Sequence, residues 1–330
     1  MVSLSTSLTP EAGADSPTGA STRGPHRLAA ILACERMWAL RYHWYIRPKK
    51  DNEFRKGGTL QHTGYRYYYA NMMEPAARPG WFYQKSMHDS LVEEAEDFQN
   101  LIPMAYENTA AYAQFYPNDD RYIRPIAIEE EFKATLGELD PDGPWPELNG
   151  EVVTCRTDLL FADPEGWEWV MDYKSRGRSK VNMRTGRLRP WRTDGGEFTI
   201  FWQGNVNLWI LRARRGPVVK GFIIQRSTRQ PPHDFDRQVL EIPLMAYNET
   251  PRQLRVAVKK ECDLIERMDA GELPNPNYSA CMGRFGPCDY RYACAAKNKG
   301  QMMYRLMTEG TYVQSDPAEI LRIRNATRAA

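Results

Sequence analysis

Apolar residues recur at near-helical spacing from His26 to Tyr45, where Leu28, Ile31, Leu32, Trp38, Ala39 and Tyr42 fall on one stripe. The pattern predicts a first helix there, with Cys34 inside it as a small core residue. After a polar break from Asp51 to Gly58, a second helix opens at Gly57 and carries His62 one turn in. A third helical region runs from about His88 to Tyr116 on Leu91, Ala95, Phe98, Leu101 and Ile102. The period then changes. Arg124 to Leu136 alternates and reads as a strand, and the proline-rich Asp140–Pro146 stretch reads as a loop.

Gly150 to Lys174 reads as a β-hairpin. Val152, Val153, Leu159, Leu160 and Phe161 lie in its first strand, with Cys155 as a core cysteine. Asp163-Pro-Glu-Gly166 is the turn, and Trp167, Trp169, Val170 and Met171 begin the second strand. Glu197 to Arg212 is helical by pattern, with Phe198, Phe201, Trp202, Leu208 and Trp209 on a broad apolar side that leaves out Gln203. Val218 to Ile224 reads as a buried strand and Arg237 to Ile242 as an edge strand. Pro243 to Met268 is a long helix with Cys262 as a core residue, and a loop-like stretch from Gly271 to Pro287 follows. Residues 1–24 read as a disordered arm, and 301–330 as a short helix with a frayed end.

Composition narrows the class. A chain of 330 residues suffices for one large domain or two small ones, and 42% hydrophobic with 26% charged residues is a globular balance. A net charge of +2 excludes a global basic field, so any nucleic-acid surface must be local. No apolar run approaches the ~20 residues that span a bilayer, and the first 24 residues have no secretory core. The expectation is a cytoplasmic protein without membrane association, its six cysteines reduced or bound to metal.

The chemistry concentrates in three places. Asp172 and Lys174, two residues apart on a strand, share one face, and Asp158 lies on the partner strand. Two carboxylates and an ammonium converging there suit a hard divalent cation and a positioned water, although Asp-x-Lys is a common tripeptide on solvated strand ends. Ser175 to Arg192 is a cationic stretch without an acid. Its Arg184, Arg187, Arg189 and Arg192, with Trp191 among them, are candidates for phosphate contacts and base stacking. Cys281, Cys288 and Cys294, spaced C-x6-C-x5-C, are one ligand short of a closed thiolate site. Cys34 is the natural fourth, and the spacing leaves zinc and an iron–sulfur cluster both open.

Taken in order, Gly58-x-x-x-His62, Asp158, Asp172-Tyr-Lys174 and a helix carrying Gln203 resemble the RecB-like branch of the PD-(D/E)XK nuclease superfamily. An early cysteine and three late ones resemble its iron–sulfur subgroup, which includes CRISPR-associated, AddB-type and phage nucleases; the likeness covers about residues 27–298. The resemblance implies an α/β fold of the restriction-endonuclease-like kind: a central mixed sheet flanked by helices, with an iron–sulfur-stapled helical region. Residues 25–300 would form the nuclease domain, its two ends joined by the cysteines. Its implied activity is Mg2+- or Mn2+-dependent hydrolysis of DNA phosphodiesters. His62, Asp158 and Asp172 would be metal ligands, and Lys174 would orient the attacking water. Gln203 would be the glutamine that opens a Gln-x-x-x-Tyr element, with Asn207 standing where the tyrosine is expected. Cys34, Cys281, Cys288 and Cys294 would hold a 4Fe–4S cluster, with Zn2+ the alternative. Glu129 and Glu131 are both available as a further carboxylate, and the sequence singles out neither.

The expected role is therefore an exonuclease of bacterial or phage origin acting at a DNA end, single-stranded at that end, in recombination, repair or phage DNA processing, with a recombination or helicase partner. The competing expectation is a cysteine-cluster DNA-binding module with a non-catalytic site. A complete His62, Asp158, Asp172 and Lys174 set argues against it, because a decayed site loses such residues.

Overall fold

The computed structural model describes residues 23–48, 53–73, 85–117, 119–176, 198–283, 286–294, 301–302, 305 and 312–314. In chain order the elements are α1 (Pro25–Ala33), α2 (Glu35–Trp38), β1 (Ile46–Pro48), α3 (Glu53–Met73), α4 (Lys85–Ala95), α5 (Ile102–Phe115) and β2 (Arg124–Thr135). Then come α6 (Leu136–Leu139), β3 (Val152–Ala162), β4 (Glu168–Arg176), α7 (Phe198–Arg215), β5 (Val219–Thr228), β6 (Phe235–Val239) and α8 (Leu244–Asp269). The short β7 (Met282–Gly283), β8 (Gly286–Pro287), α9 (Arg291–Cys294) and β9 (Tyr312–Gln314) close the chain. Two compact units result: one from Met1–Lys50, Lys133–Cys155 and Glu249–Ala330, the other from Asp51–Phe132 and Arg156–Asn248.

The second unit holds most of a five-stranded mixed sheet ordered β2-β3-β4-β5-β6. β3 and β4 form the expected antiparallel hairpin, in register from Leu159↔Met171 to Ala162↔Glu168. β4 and β5 run parallel, which requires a crossover, and α7 lies in that connection. β6 adds antiparallel at the edge of β5. At Gly204 of α7 a Cβ would stand 2.8 Å from Leu240 Cδ2, so the tip of that side chain would have to shift to admit a larger residue.

Tyr65, Tyr68 and Tyr69 of α3 and Tyr112 of α5 pack with Leu159, Phe161, Met171 and Tyr173 of the hairpin. This core is not purely apolar. Arg237 Nη2 lies 2.6 Å from Asp120 Oδ1 and donates to the Tyr69 and Tyr112 hydroxyls at 2.8 and 2.6 Å. Its Nε donates to Gln225 Oε1 at 2.7 Å, and Tyr68 donates to Asp120 Oδ2 at 2.9 Å. A buried ion pair is tolerable when its remaining hydrogen-bonding capacity is filled in this way.

The other unit is tied by charged groups on α8. Arg255, fully buried, donates to the carbonyls of Pro144 and Trp145 at 3.1 and 3.2 Å and to Asn149 Oδ1 at 2.5 Å. It thereby fixes the proline-rich loop, which has no ladder of its own. Glu261 receives Arg23 and Arg27 at 2.5 and 2.7 Å, docking the start of α1 on α8.

Two expected helices are broken. The first ends at Ala33, and Cys34 takes extended backbone (φ −162°, ψ 114°) before α2 restarts. The restart is possible because the Arg36 amide, an orphan donor at a helix start, finds Asn275 O at 3.2 Å. The third region breaks into α4 and α5 around Glu96 (φ 48°) and Phe98, and Pro103 opens α5 where its missing N–H costs nothing. Among the described residues, no helix is long and apolar enough to cross a membrane.

Candidate active site

α3 carries His62, β2 carries Glu129 and β3 carries Asp158, and one ligand atom from each lies within 4.8 Å of the other two. His62 Nδ1 is 3.7 Å from Asp158 Oδ2, and its ring stands edge-on to Tyr173 with centroids 5.4 Å apart. The β3–β4 register ends at Leu159↔Met171, and beyond it the Tyr173 amide donates to Asp158 Oδ2 at 2.6 Å. The carboxylate thus takes a donor that the ladder leaves open, and this fixes its position. Glu129 has φ 52°, a left-handed conformation that costs a residue with a Cβ ~1–3 kcal/mol. The buried–exposed alternation of β2 fails at this point, and Arg156 Nε holds the Glu129 carbonyl at 3.0 Å.

Asp172 and Lys174 share the face of β4 that the two-residue period assigns them, while Tyr173 between them enters the tyrosine core. Lys174 Nζ lies 2.6 Å from Asp172 Oδ2 and donates to Gln203 Oε1 at 3.2 Å. Gln203 Nε2 donates to Asp172 Oδ1 at 2.6 Å and so closes a three-membered ring of contacts. The sequence reading made Asp172 a metal ligand together with His62 and Asp158. In the structure Glu129 completes the tight trio, and both Asp172 oxygens are engaged by Lys174 and Gln203.

The charges are strongly coupled. Burial, then repulsion from Asp158, pushes the Glu129 carboxyl up to about 7 against the opposing pull of His62, Arg156 and Arg66. Burial also raises Asp158, with His62 opposing and Asp172 adding to the rise. For Lys174, burial disfavours the charge, but Asp172 and Asp158 outweigh it and hold the ammonium above its ordinary range. Acids that resist losing their protons beside a firmly charged lysine form a pocket short of positive charge, the condition a divalent ion relieves. The donor set of two carboxylates and an imidazole suits Mg2+ and, better, Mn2+.

Asn207, one turn beyond Gln203, is fully buried in α7, which removes it from any DNA-facing surface. Arg184, Arg187, Arg189, Trp191 and Arg192 lie outside the described residues, as do the arm before Arg23 and most of 301–330.

In the other unit, Cys34 and Cys294 are buried, and Cys281 and Cys288 are partly exposed. The Cys288 amide donates to Cys281 O at 2.8 Å, and the Asn277 amide points at Cys34 Sγ at 3.4 Å. Arg36 donates to the carbonyls of Pro274 and Cys294, both at 3.0 Å. Burial, followed by Cys34 and Cys288, raises the Cys294 thiol to about 12, so the cysteines lie within electrostatic reach of one another. No three of these sulfurs are gathered within 4.8 Å among the described residues. Four thiolates on one zinc, with bonds of ~2.3 Å, would sit roughly 3.8 Å apart. Cys155 is fully buried in β3 as expected, whereas Cys262 is only half-buried, with Arg23 Nη2 at 4.0 Å from its sulfur.

The mixed sheet, the hairpin that carries Asp158 and Asp172-x-Lys174, and the helix that carries His62 are the elements that build the site. Residues 24–295 match the PD-(D/E)XK nuclease superfamily, and the chain belongs to it. Among solved structures, a crystal structure from Eubacterium rectale with a provisional exonuclease assignment is similar at 14% identity and a TM-score of 0.48, covering 87% of this chain and 92% of that one. No curated protein matches the sequence.

Proposed function

We propose that the chain is a Mg2+- or Mn2+-dependent DNA exonuclease that hydrolyses phosphodiesters from a DNA end. The observation that carries this reading is the convergence of His62, Glu129 and Asp158 beside the Asp172–Lys174–Gln203 ring. A divalent ion bound there would neutralise the phosphodiester and lower the pKa of its water. Lys174 stays charged and donates hydrogen bonds to the attacking water and to the phosphate oxygens as negative charge builds. Gln203 keeps Lys174 and Asp172 at fixed separation, and Tyr173 supports the His62 ring while its amide holds Asp158. The arginines of 184–192 would track the substrate backbone, and Trp191 would stack on an unpaired base.

Cys34, Cys281, Cys288 and Cys294 are proposed to hold one 4Fe–4S cluster with a structural role. The C-x6-C-x5-C spacing with Cys34 as the fourth thiolate supports this reading, and Zn2+ is the alternative occupant. The deciding experiment is digestion of end-labelled single- and double-stranded DNA with Mg2+, with Mn2+ and with chelator, alongside a visible spectrum of the same anaerobic sample. Metal-dependent release of terminal nucleotides from brown protein is the expected result; uncut DNA under every condition refutes the nuclease reading.

A further inference from the structure

Where β4 and β5 begin, the two strands slip out of register. Glu168 pairs with Val219 and Trp169 with Gly221, so Lys220 is an extra residue, a bulge in β5. A bulge re-aims the side chain it carries. This one sets Lys220 Nζ over two rings, 5.1 Å from the Trp167 centroid and 5.8 Å from that of Trp169. The rings are themselves held. Asp163 accepts from the Trp167 amide at 2.8 Å and from Trp169 Nε1 at 2.9 Å. Gly221 leaves room for the Trp169 ring, since a Cβ there would stand 2.7 Å from its Cζ3.

This arrangement faces solvent. Trp167 is 41% exposed, Lys220 is exposed, and among the described residues the Lys220 ammonium makes no ion pair. The acids beside it are engaged elsewhere: Asp163 by the two tryptophans, and Glu168 by Arg215, whose Nη2 donates to Oε1 at 2.6 Å. Glu165, exposed in the turn, makes no ion pair among the described residues either. An exposed cation–π contact is weak, so it leaves the ammonium hydrogens open to a stronger acceptor. A flat indole beside a cation without a counter-ion matches a ligand that carries a π-face and an anion a few ångströms apart, which a nucleotide does and a single amino-acid side chain does not. Trp167 stands five residues before Asp172 in the sequence, roughly 17 Å at the rise of a strand. A nucleotide bound there is not the one whose phosphodiester is cut.

We propose that Trp167, Lys220 and the Trp169 ring behind them form a second contact for single-stranded nucleic acid, remote from the trio, an inference that rests on the nuclease reading. An unpaired base stacks on Trp167, and Lys220 holds the adjoining phosphate. The experiment measures anisotropy of two labelled oligothymidines, a trinucleotide and a strand of about 20 nucleotides, with the full-length protein in Ca2+ across a salt series. Steady-state cleavage of the longer strand in Mg2+ accompanies it. Trp167→Ala should weaken binding of the longer strand about tenfold and leave the trinucleotide at its wild-type affinity, because only the longer strand reaches from the trio to the rings. Trp167→Phe should recover most of the loss. Lys220→Gln should lower the slope of log K against log salt by about 0.7, the share of one phosphate on a single strand. In cleavage, KM for the longer strand should rise with kcat unchanged. Three results would overturn the contact and leave the nuclease reading standing: wild-type affinity for the longer strand in Trp167→Ala and Lys220→Gln, an equal loss at both lengths, or a change in melting temperature or oligomeric state with affinity unchanged. Wild-type protein that neither binds nor cuts DNA would overturn both.

Discussion

His62, Glu129 and Asp158 arrive on a long helix and two strands, and each is held by something besides the others. Tyr173 supports the imidazole and the Asp158 carboxylate, and Arg156 holds the Glu129 backbone. The cysteines arrive differently: Cys34 from a helix break, and Cys281, Cys288 and Cys294 from a loop-rich segment near the other end of the chain. The first set is drawn within 4.8 Å, and the second is not. A preorganised ligand set lets an ion add chemistry with little effect on the fold. A set contributed by two ends of the chain makes its bound group a cross-link, so occupancy there is coupled to stability.

This contrast can be broken most sharply at Lys174. Lys174→Ala should slow DNA cleavage by about 10^3-fold or more because the residue acts on developing charge, with iron and colour retained and any loss of stability confined to the Asp172 carboxylate it leaves unpaired. Cys288→Ala should do the reverse. Loss of iron and colour should accompany a destabilisation of about 5–6 kcal/mol, the loop-closure scale for a cross-link spanning so much chain, measured by denaturant unfolding. Cys155→Ala and Cys262→Ala should keep the colour. Asp120→Ala tests the polar core: leaving the half-buried Arg237 without its carboxylate should cost about 2–3 kcal/mol. Gln203→Leu should lower the cleavage rate about 10- to 100-fold with little loss of stability, since it releases Lys174 and Asp172 without removing either.

The smallest expected effect is a pH dependence. With its carboxyl raised to about 7, Glu129 in the folded metal-free protein keeps a proton that the unfolded chain has already released. Raising pH from the ordinary carboxylate range through about 7 therefore destabilises the metal-free protein at this site. Metal binding must displace that proton, so affinity grows over the same window. The rise in melting temperature on adding Mn2+ should be larger at about pH 8 than at about pH 6.

Much of this was legible in the chain. Alternation located β2, two apolar runs around the Asp163-Pro-Glu-Gly166 turn located the hairpin, and the spacing of Asp172 and Lys174 put them on one face as observed. What escaped depends on tertiary contacts. The apolar stripe of the first helix runs straight through Cys34, and the break there relies on a hydrogen bond from residues far along the chain. Glu129, Glu130 and Glu131 are identical in type, and only their placement in the fold, with Glu129 in a left-handed conformation and its carboxylate in the trio, tells them apart. Gln203 stood out by falling off the apolar stripe, but its partners could not be read from the sequence.

Calorimetric titration of Mn2+ into wild type, Glu129→Gln and Glu131→Gln tests the central assignment most directly, because it pits two neighbouring glutamates against each other. The account predicts that Glu131→Gln binds Mn2+ like wild type and that Glu129→Gln weakens binding by at least about tenfold. Wild-type Mn2+ affinity in Glu129→Gln would contradict it.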